Sequence, residues 1–166
     1  MTTILAGGTV VTAESSFAAD VAFDDGKITA VGTALERDGA EVVDVTGKRL
    51  MPGFIDGHTH MDMPFGGTVT ADNWDTGTAA AVAGGTTTLV DFSLQDIEGT
   101  LTGAVETWQE KASVARIDFG LHVAITNLTE DVKRELPSLP GLGVATIKIF
   151  MAYKGTPLYT EDDDLF

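Results

Sequence analysis

The fold of this chain is decided at residues 51–62, which read MPGFIDGHTHMD. A turn leads into a short apolar run that ends in His58 and His60. Side chains alternate between the two faces of a strand, so both histidines point the same way. Two imidazoles in this relation can bind one metal ion, at about 2.0–2.1 Å from each nitrogen for zinc. The alternative is a polar stripe on an edge strand, but the apolar, glycine-flanked run favours a metal site.

Composition excludes several classes of protein. The chain has 166 residues, 43% of them hydrophobic, which is typical of a globular fold. Its formal charge of -15 argues against nucleic acid or an anionic membrane as a partner, because both require a basic surface. It has no cysteine, so disulfides and thiolate metal sites are excluded. The sequence shows neither a signal peptide nor a transmembrane segment, and we expect a cytoplasmic protein.

Residues 1–50 predict a small antiparallel sheet, as part of a β-sandwich domain. Residues 3–6 and 9–12 flank Gly7-Gly8 and predict one hairpin, and residues 21–23 and 27–31 flank Asp25-Gly26 and predict another. Residues 41–45 predict a further strand.

Residues 51–166 change to alternating strands and helices. Strands are expected at 54–60, 86–92, 118–126 and 144–152, and helices at 73–83, 101–115 and 129–136. This alternation predicts a parallel sheet with right-handed crossovers. The last residues, 161–166, predict the entry to another helix.

Lys148 and Tyr153 belong to a second informative stretch, TIKIFMAYKG at 146–155. A lysine inside an apolar strand is paired, neutral or chemically altered, and a neutral amine can take up carbon dioxide as a carbamate that bridges two metals. The alternative is a lysine that extends past an edge strand into solvent. Tyr153 follows the strand, where its hydroxyl is suited to stabilising an oxyanion. The simplest interpretation of Asp91 and His122 is structural.

Two motifs together resemble the dihydropyrimidinase and hydantoinase branch of the amidohydrolase superfamily: PGFIDGHTH at 52–60, and FMAYKG at 150–155 with Lys148 before it. The segments at 73–75 and 84–87 also fit. The resemblance implies a TIM-like (β/α)8 barrel whose first half is residues 51–166. It implies two divalent metals, zinc by preference, that are held by His58, His60 and a carboxylated, bridging Lys148. It implies that Tyr153 binds the substrate and the oxyanion, and it assigns a hydrophobic wall around the substrate to Met63, Phe65 and Phe150.

The implied reaction is hydrolysis of a cyclic amide or imide, such as a dihydropyrimidine or a hydantoin, to an N-carbamoyl amino acid by a homo-oligomer. Only about four of eight barrel strands are present, and the family's later ligands, two histidines and an aspartate, have no counterpart. We therefore expect an N-terminal part of an enzyme that is inactive alone and binds at most one metal weakly. The alternatives are an allantoinase or dihydroorotase type of enzyme, and a non-enzymatic dihydropyrimidinase-like scaffold protein.

Overall fold

The computed structural model describes residues 1–156 and 158–160, and the chain divides into two compact units, Met1–Pro52 and Gly53–Phe166. The helix entry predicted at 161–166 lies outside the described residues. Within the described ranges, no helix combines the length and the apolar character needed to span a membrane.

The first unit is built on one five-stranded sheet. Its strands are β1 (Thr3–Val11), β2 (Ser16–Asp24), β3 (Lys27–Gly32), β4 (Glu41–Asp44) and β5 (Arg49–Leu50). The order is β3-β2-β1-β4, and β5 also pairs with β1. The hairpin predicted at Asp25-Gly26 is confirmed: β2 and β3 are antiparallel, and both turn residues have positive φ angles, 48° and 70°.

Two predictions for this sheet are wrong. Gly7 and Gly8 do not form a hairpin, because β1 runs straight through them with a bulge between Leu5 and Gly8. Gly7 has a φ of 80° there and donates its N–H to Asp20 Oδ1 at 2.8 Å, so the extra residue is satisfied without a reversal of the chain. The sheet is also mixed rather than antiparallel. The connection after β3 is long enough to bring β4 and β5 alongside β1 in parallel.

The second unit alternates strands and helices, as predicted. It contains β6 (Phe54–Thr59), β7 (Pro64–Phe65), β8 (Thr68–Val69), α1 (Trp74–Ala83), β9 (Thr86–Leu94), α2 (Leu101–Lys111), β10 (Asp118–Ala124), α3 (Glu130–Glu135) and β11 (Ile147–Lys148). Two 3₁₀ turns lie at Ala112–Val114 and Leu136–Leu142. The main sheet has the order β11-β10-β9-β6 with every pair parallel, and β7 and β8 form a separate small hairpin.

Local sequence accounts for where the three helices begin. Asn73, Thr100 and Thr129 each accept a backbone N–H through the side chain at the first turn, and Asn73 does so within a capping box. The face predicted for α2 is confirmed, since its apolar residues are all buried: Leu101, Ala104, Val105, Trp108 and the following Ala112. These side chains pack against β9 and β10 and form the core of the unit.

The fourth strand is much shorter than expected. Instead of 144–152, only Ile147 and Lys148 pair with β10. Beyond them Phe150 bridges to Tyr159, and Tyr153 enters a turn with a φ of 68°. In the described part of the chain β11 has a neighbour on one side only, so its backbone is held for two residues before turn-forming residues redirect it.

Candidate metal and substrate site

His58 and His60 lie at the carboxyl end of β6 and point to the same side of the sheet, as their spacing predicts. Their ring centroids are 5.1 Å apart in an edge-to-face arrangement. The pairing of β6 with β9 is irregular here, with a register shift between Asp56 and Thr59. The ladder of backbone hydrogen bonds therefore does not by itself fix the segment that carries the two histidines.

The ring of Phe92, on β9, is the surface on which the candidate residues meet. The centroids of His58, His60 and His122 lie 4.6 Å, 5.1 Å and 4.7 Å from the centroid of this ring. Lys148 comes from β11, at the far side of the sheet, and its Nζ lies 4.0 Å from the same centroid. The fold thus brings residues from its two outer strands together over one buried aromatic side chain on an inner strand.

The pKa values of two of these residues are lowered, which makes their deprotonation easier. Burial lowers the pKa of His60, and the positive charges of Lys148 and His58 lower it further. Burial also lowers the pKa of Lys148. A neutral imidazole can bind a metal, and a neutral amine can form a carbamate, whereas the protonated forms can do neither.

The donor set fits a metal. The Nδ1 atom of His60 is buried and has no hydrogen-bond partner among the described residues, which is costly for a polar atom unless a ligand satisfies it. Within the same residues, however, no cluster of three or more His, Asp and Glu side chains has metal-binding geometry. Of the three imidazoles around Phe92, that of His122 already contacts Gly57 and Thr146, so the described chain leaves two imidazoles and a lysine, which is less than a full tetrahedral shell.

A cavity of about 540 Å³ lies beyond the carboxyl ends of β9 and β10. Phe65 and Tyr153 line it, with their ring centroids 6.2 Å apart, together with Gln95 and Thr126. Its volume falls in the range of small-molecule sites.

The other predicted substrate residues lie outside the lining of this cavity. Phe150 contacts Tyr153, at 6.4 Å between centroids, and Lys148, whose Nζ is 4.9 Å from the Phe150 ring. Met63 is buried, and its backbone pairs with Thr70.

Four residues that were not predicted to be site residues take part in this region. Phe92 supports the candidate ligands, and Gln95 lines the cavity. His122 reaches across the sheet, with Nε2 3.3 Å from the carbonyl oxygen of Gly57, and also contacts Thr146. Asp91 is fully buried and hydrogen-bonded to both neighbours of His60. The available signal was an acidic residue at the end of an apolar strand, which is costly to bury without partners.

Comparison with known proteins places these motifs among relatives of similar sequence. The chain is 49% identical to a D-hydantoinase of Geobacillus stearothermophilus over 156 residues, covering 93% of the chain and 33% of that protein. It is 42% identical to a dihydropyrimidinase of Dictyostelium discoideum over 165 residues, covering 98% of the chain and 33% of that protein. No family model matches the chain.

The chain is also similar in structure to members of these two groups of enzymes. The crystal structure of a dihydropyrimidinase from Brevibacillus agri superposes with a TM-score of 0.95 at 47% identity, over 99% of this chain and 36% of that one. A D-hydantoinase from Thermus sp. superposes with a TM-score of 0.88 at 32% identity. The chain spans about a third of the length of the relatives it matches.

Proposed function

The chain belongs to the dihydropyrimidinase and D-hydantoinase family, and on that basis we propose that it is the N-terminal part of a cyclic amidohydrolase. The proposed reaction opens a dihydropyrimidine or hydantoin ring to an N-carbamoyl amino acid. The observation that carries this proposal is the convergence of His58, His60 and Lys148 over Phe92, at the edge of a parallel sheet where such folds place their chemistry.

In the proposed enzyme His58, His60 and a carboxylated Lys148 hold two divalent metals, zinc by preference. When bound, these metals supply Lewis acidity, which activates a water molecule and polarises the ring carbonyl. The chain's contribution is to make deprotonation of the ligands easier: burial lowers the pKa of both His60 and Lys148. Phe92 provides one apolar surface against which the three side chains lie.

The cavity lined by Phe65 and Tyr153 is the proposed substrate site, although none of the proposed metal ligands lines it. Tyr153 carries a hydroxyl for the developing oxyanion, and Phe65 faces it across the lining. Met63 and Phe150 do not line the cavity. Each supports a segment that does, Met63 the one that carries Phe65 and Phe150 the one that carries Tyr153. This arrangement suits a flat ring with an apolar substituent.

The rest of the proposed enzyme supplies what this chain lacks. We propose that residues 51–166 are the first half of a (β/α)8 barrel, and that residues 1–50 are one portion of a β-sandwich domain. The remaining ligands, two histidines and an aspartate, then come from strands that follow in the longer protein.

Metal analysis and ring-opening assays on that longer protein test the proposal. The panel comprises dihydrouracil, hydantoin, allantoin and dihydroorotate, so that it also separates the allantoinase and dihydroorotase alternatives. Lys148→Ala should abolish the two-metal stoichiometry and turnover. Lys154→Ala, which changes an exposed lysine six residues away, is the matched control and should retain both. Two metals per chain in Lys148→Ala would refute the bridging role.

The scaffold alternative makes the opposite prediction for the unmodified protein, namely no metal and no ring opening on any substrate. The presence of His58, His60 and Lys148 in one cluster weighs against it, because a protein without metal chemistry gains nothing from a buried imidazole nitrogen that lacks a partner.

A further inference from the structure

Asp91 is a fully buried carboxylate with four hydrogen-bond donors around it. Its Oδ2 accepts from the Thr59 hydroxyl at 2.9 Å and from the Met61 N–H at 2.8 Å. Its Oδ1 accepts from the Phe92 N–H at 2.7 Å and from Trp108 Nε1 at 3.2 Å. Burial raises the pKa of Asp91, and these four hydrogen bonds act against that shift. Through its donors Asp91 ties together segments that are distant in sequence.

Two of the four donors flank His60 on either side. Thr59 follows the register shift in the pairing of β6 with β9, and Met61 lies beyond the end of β6. One carboxylate oxygen accepts from the side chain of Thr59 and from the backbone N–H of Met61, so it holds the residues on both sides of His60. Asp91 and Phe92 are neighbours on β9, so their side chains lie on opposite faces of the sheet. Asp91 therefore does not contact the imidazoles and acts on them only through the backbone.

The other carboxylate oxygen anchors this tie to the core. Trp108 lies on α2 with only 4% of its surface exposed, and its ring is packed in the main cluster of the unit. Its indole N–H has one acceptor, Asp91 Oδ1. Asp91 is thus held on the helix side of the sheet while it holds the His58–Met61 segment.

We propose that Asp91 is a positioning residue that fixes the backbone around His60 and thereby directs His58 and His60 toward a shared metal. That metal rests on the function proposed above, whereas the geometric effect on the histidine segment does not. Partners that orient metal ligands typically change metal affinity 10–100-fold when they are removed.

The first test is Asp91→Asn, which keeps the shape of the side chain but replaces one acceptor oxygen with an NH2 group that faces two donors. In the longer protein, we expect zinc affinity to fall by roughly 10–100-fold. The matched control is Ser93→Ala. Ser93 is equally buried, two residues along the same strand, and donates to the carbonyl oxygen of His122 rather than to β6. Zinc affinity should be unchanged in this control.

Hydrogen exchange in the metal-free 166-residue chain is the second readout. Asp91→Asn should accelerate exchange of the Met61 amide selectively, relative to amides of β10 such as that of Val123. Thr59→Val, which removes one donor, should have the same local effect in a milder form, and Thr59→Ser should restore protection because it keeps the hydroxyl. The two Thr59 variants decide the matter if Asp91→Asn does not fold.

Each outcome decides the proposal. Unchanged Met61 exchange in folded Asp91→Asn and Thr59→Val would overturn it, as would equal acceleration at Val123, which indicates general loss of stability. A wild-type longer protein that binds no zinc would overturn the proposed function instead, and selective exchange at Met61 would still support the role of Asp91.

Discussion

Replacing Gln95 by methionine tests how the loops beside the cavity are held in place. Gln95 is 2% exposed and uses all of its side-chain hydrogen-bonding capacity. Its Oε1 accepts from the backbone N–H groups of Thr126 and Asn127 at 3.0 Å and 3.2 Å. Its Nε2 donates to the carbonyl oxygens of Gly99 and Asn127 at 2.9 Å and 3.3 Å. One side chain therefore joins the loops that follow β9 and β10.

The expected loss of unfolding free energy depends on which of the former hydrogen-bond partners of Gln95 water can reach in the variant. Thr126 is buried, so its N–H loses its acceptor without replacement, at a cost of about 1–3 kcal/mol. Asn127 and Gly99 are partly exposed, and water satisfies them in part. Methionine has a similar length and fills the space, so no cavity contribution is added. We expect Gln95→Met to lower the free energy of unfolding of the second unit by about 2–4 kcal/mol.

The assay is urea unfolding of the 166-residue chain followed by tryptophan fluorescence. Both tryptophans of the chain, Trp74 and Trp108, are buried in the second unit, so the signal reports that unit alone. The matched control is Gln109→Met, an exposed glutamine on α2, which should change the free energy by less than about 0.5 kcal/mol. A loss below about 1 kcal/mol for Gln95→Met, with unchanged exchange of the Thr126 amide, would refute this account.

Three further predictions concern the site, the isolated chain and the first unit. Tyr153→Phe in the longer protein should keep its metal content and lower turnover by roughly 10²–10³, and an unchanged turnover would assign Tyr153 to packing. The 166-residue chain alone should open no hydantoin ring and bind at most one metal, as measured by product analysis and metal quantification; two bound metals would contradict this. Hydrogen bonding from Gly7 lowers the pKa of Asp20 most, with a contribution from Arg37, so the Gly7 amide signal should titrate below the usual value of about 3.9. Because the folded pKa is the lower one, this stabilisation is present above the unfolded pKa and is lost as the pH falls through the folded value, and Asp20→Asn should remove it.

Patterns that are local in sequence predicted most of the second unit. The spacing of apolar residues on α2 identified its buried face, and the helices begin at residues whose side chains cap the first turn, Asn73, Thr100 and Thr129. These features depend on backbone groups and neighbours that the sequence displays directly. The alternation of strands and helices is local in the same sense, and it was sufficient for a parallel sheet.

Features that depend on distant partners were not predictable in the same way. The glycines at 7 and 8 are compatible with a hairpin or a bulge, and only the partner strand β2 decides between them. The extent of β11 depends on whether a neighbour lies on its outer side, which the pattern of residues 144–152 does not encode. Three of the four donors to Asp91 lie 30 and 32 residues before it and 17 residues after it, so its role appears only when β6, β9 and α2 are packed together.

The candidate site itself shows why the inner strands matter more than the motifs suggest. His58 and His60 lie on β6 and Lys148 lies on β11, which are the two outer strands of the four-stranded sheet. Their distance is set by β9 and β10, which carry none of the predicted ligands. Phe92 on β9 fixes where the three side chains meet, and Asp91 beside it fixes the backbone around His60. Sequence motifs therefore identify the proposed ligands, whereas the residues that hold these ligands in place, Asp91 and Phe92, lie outside the motifs.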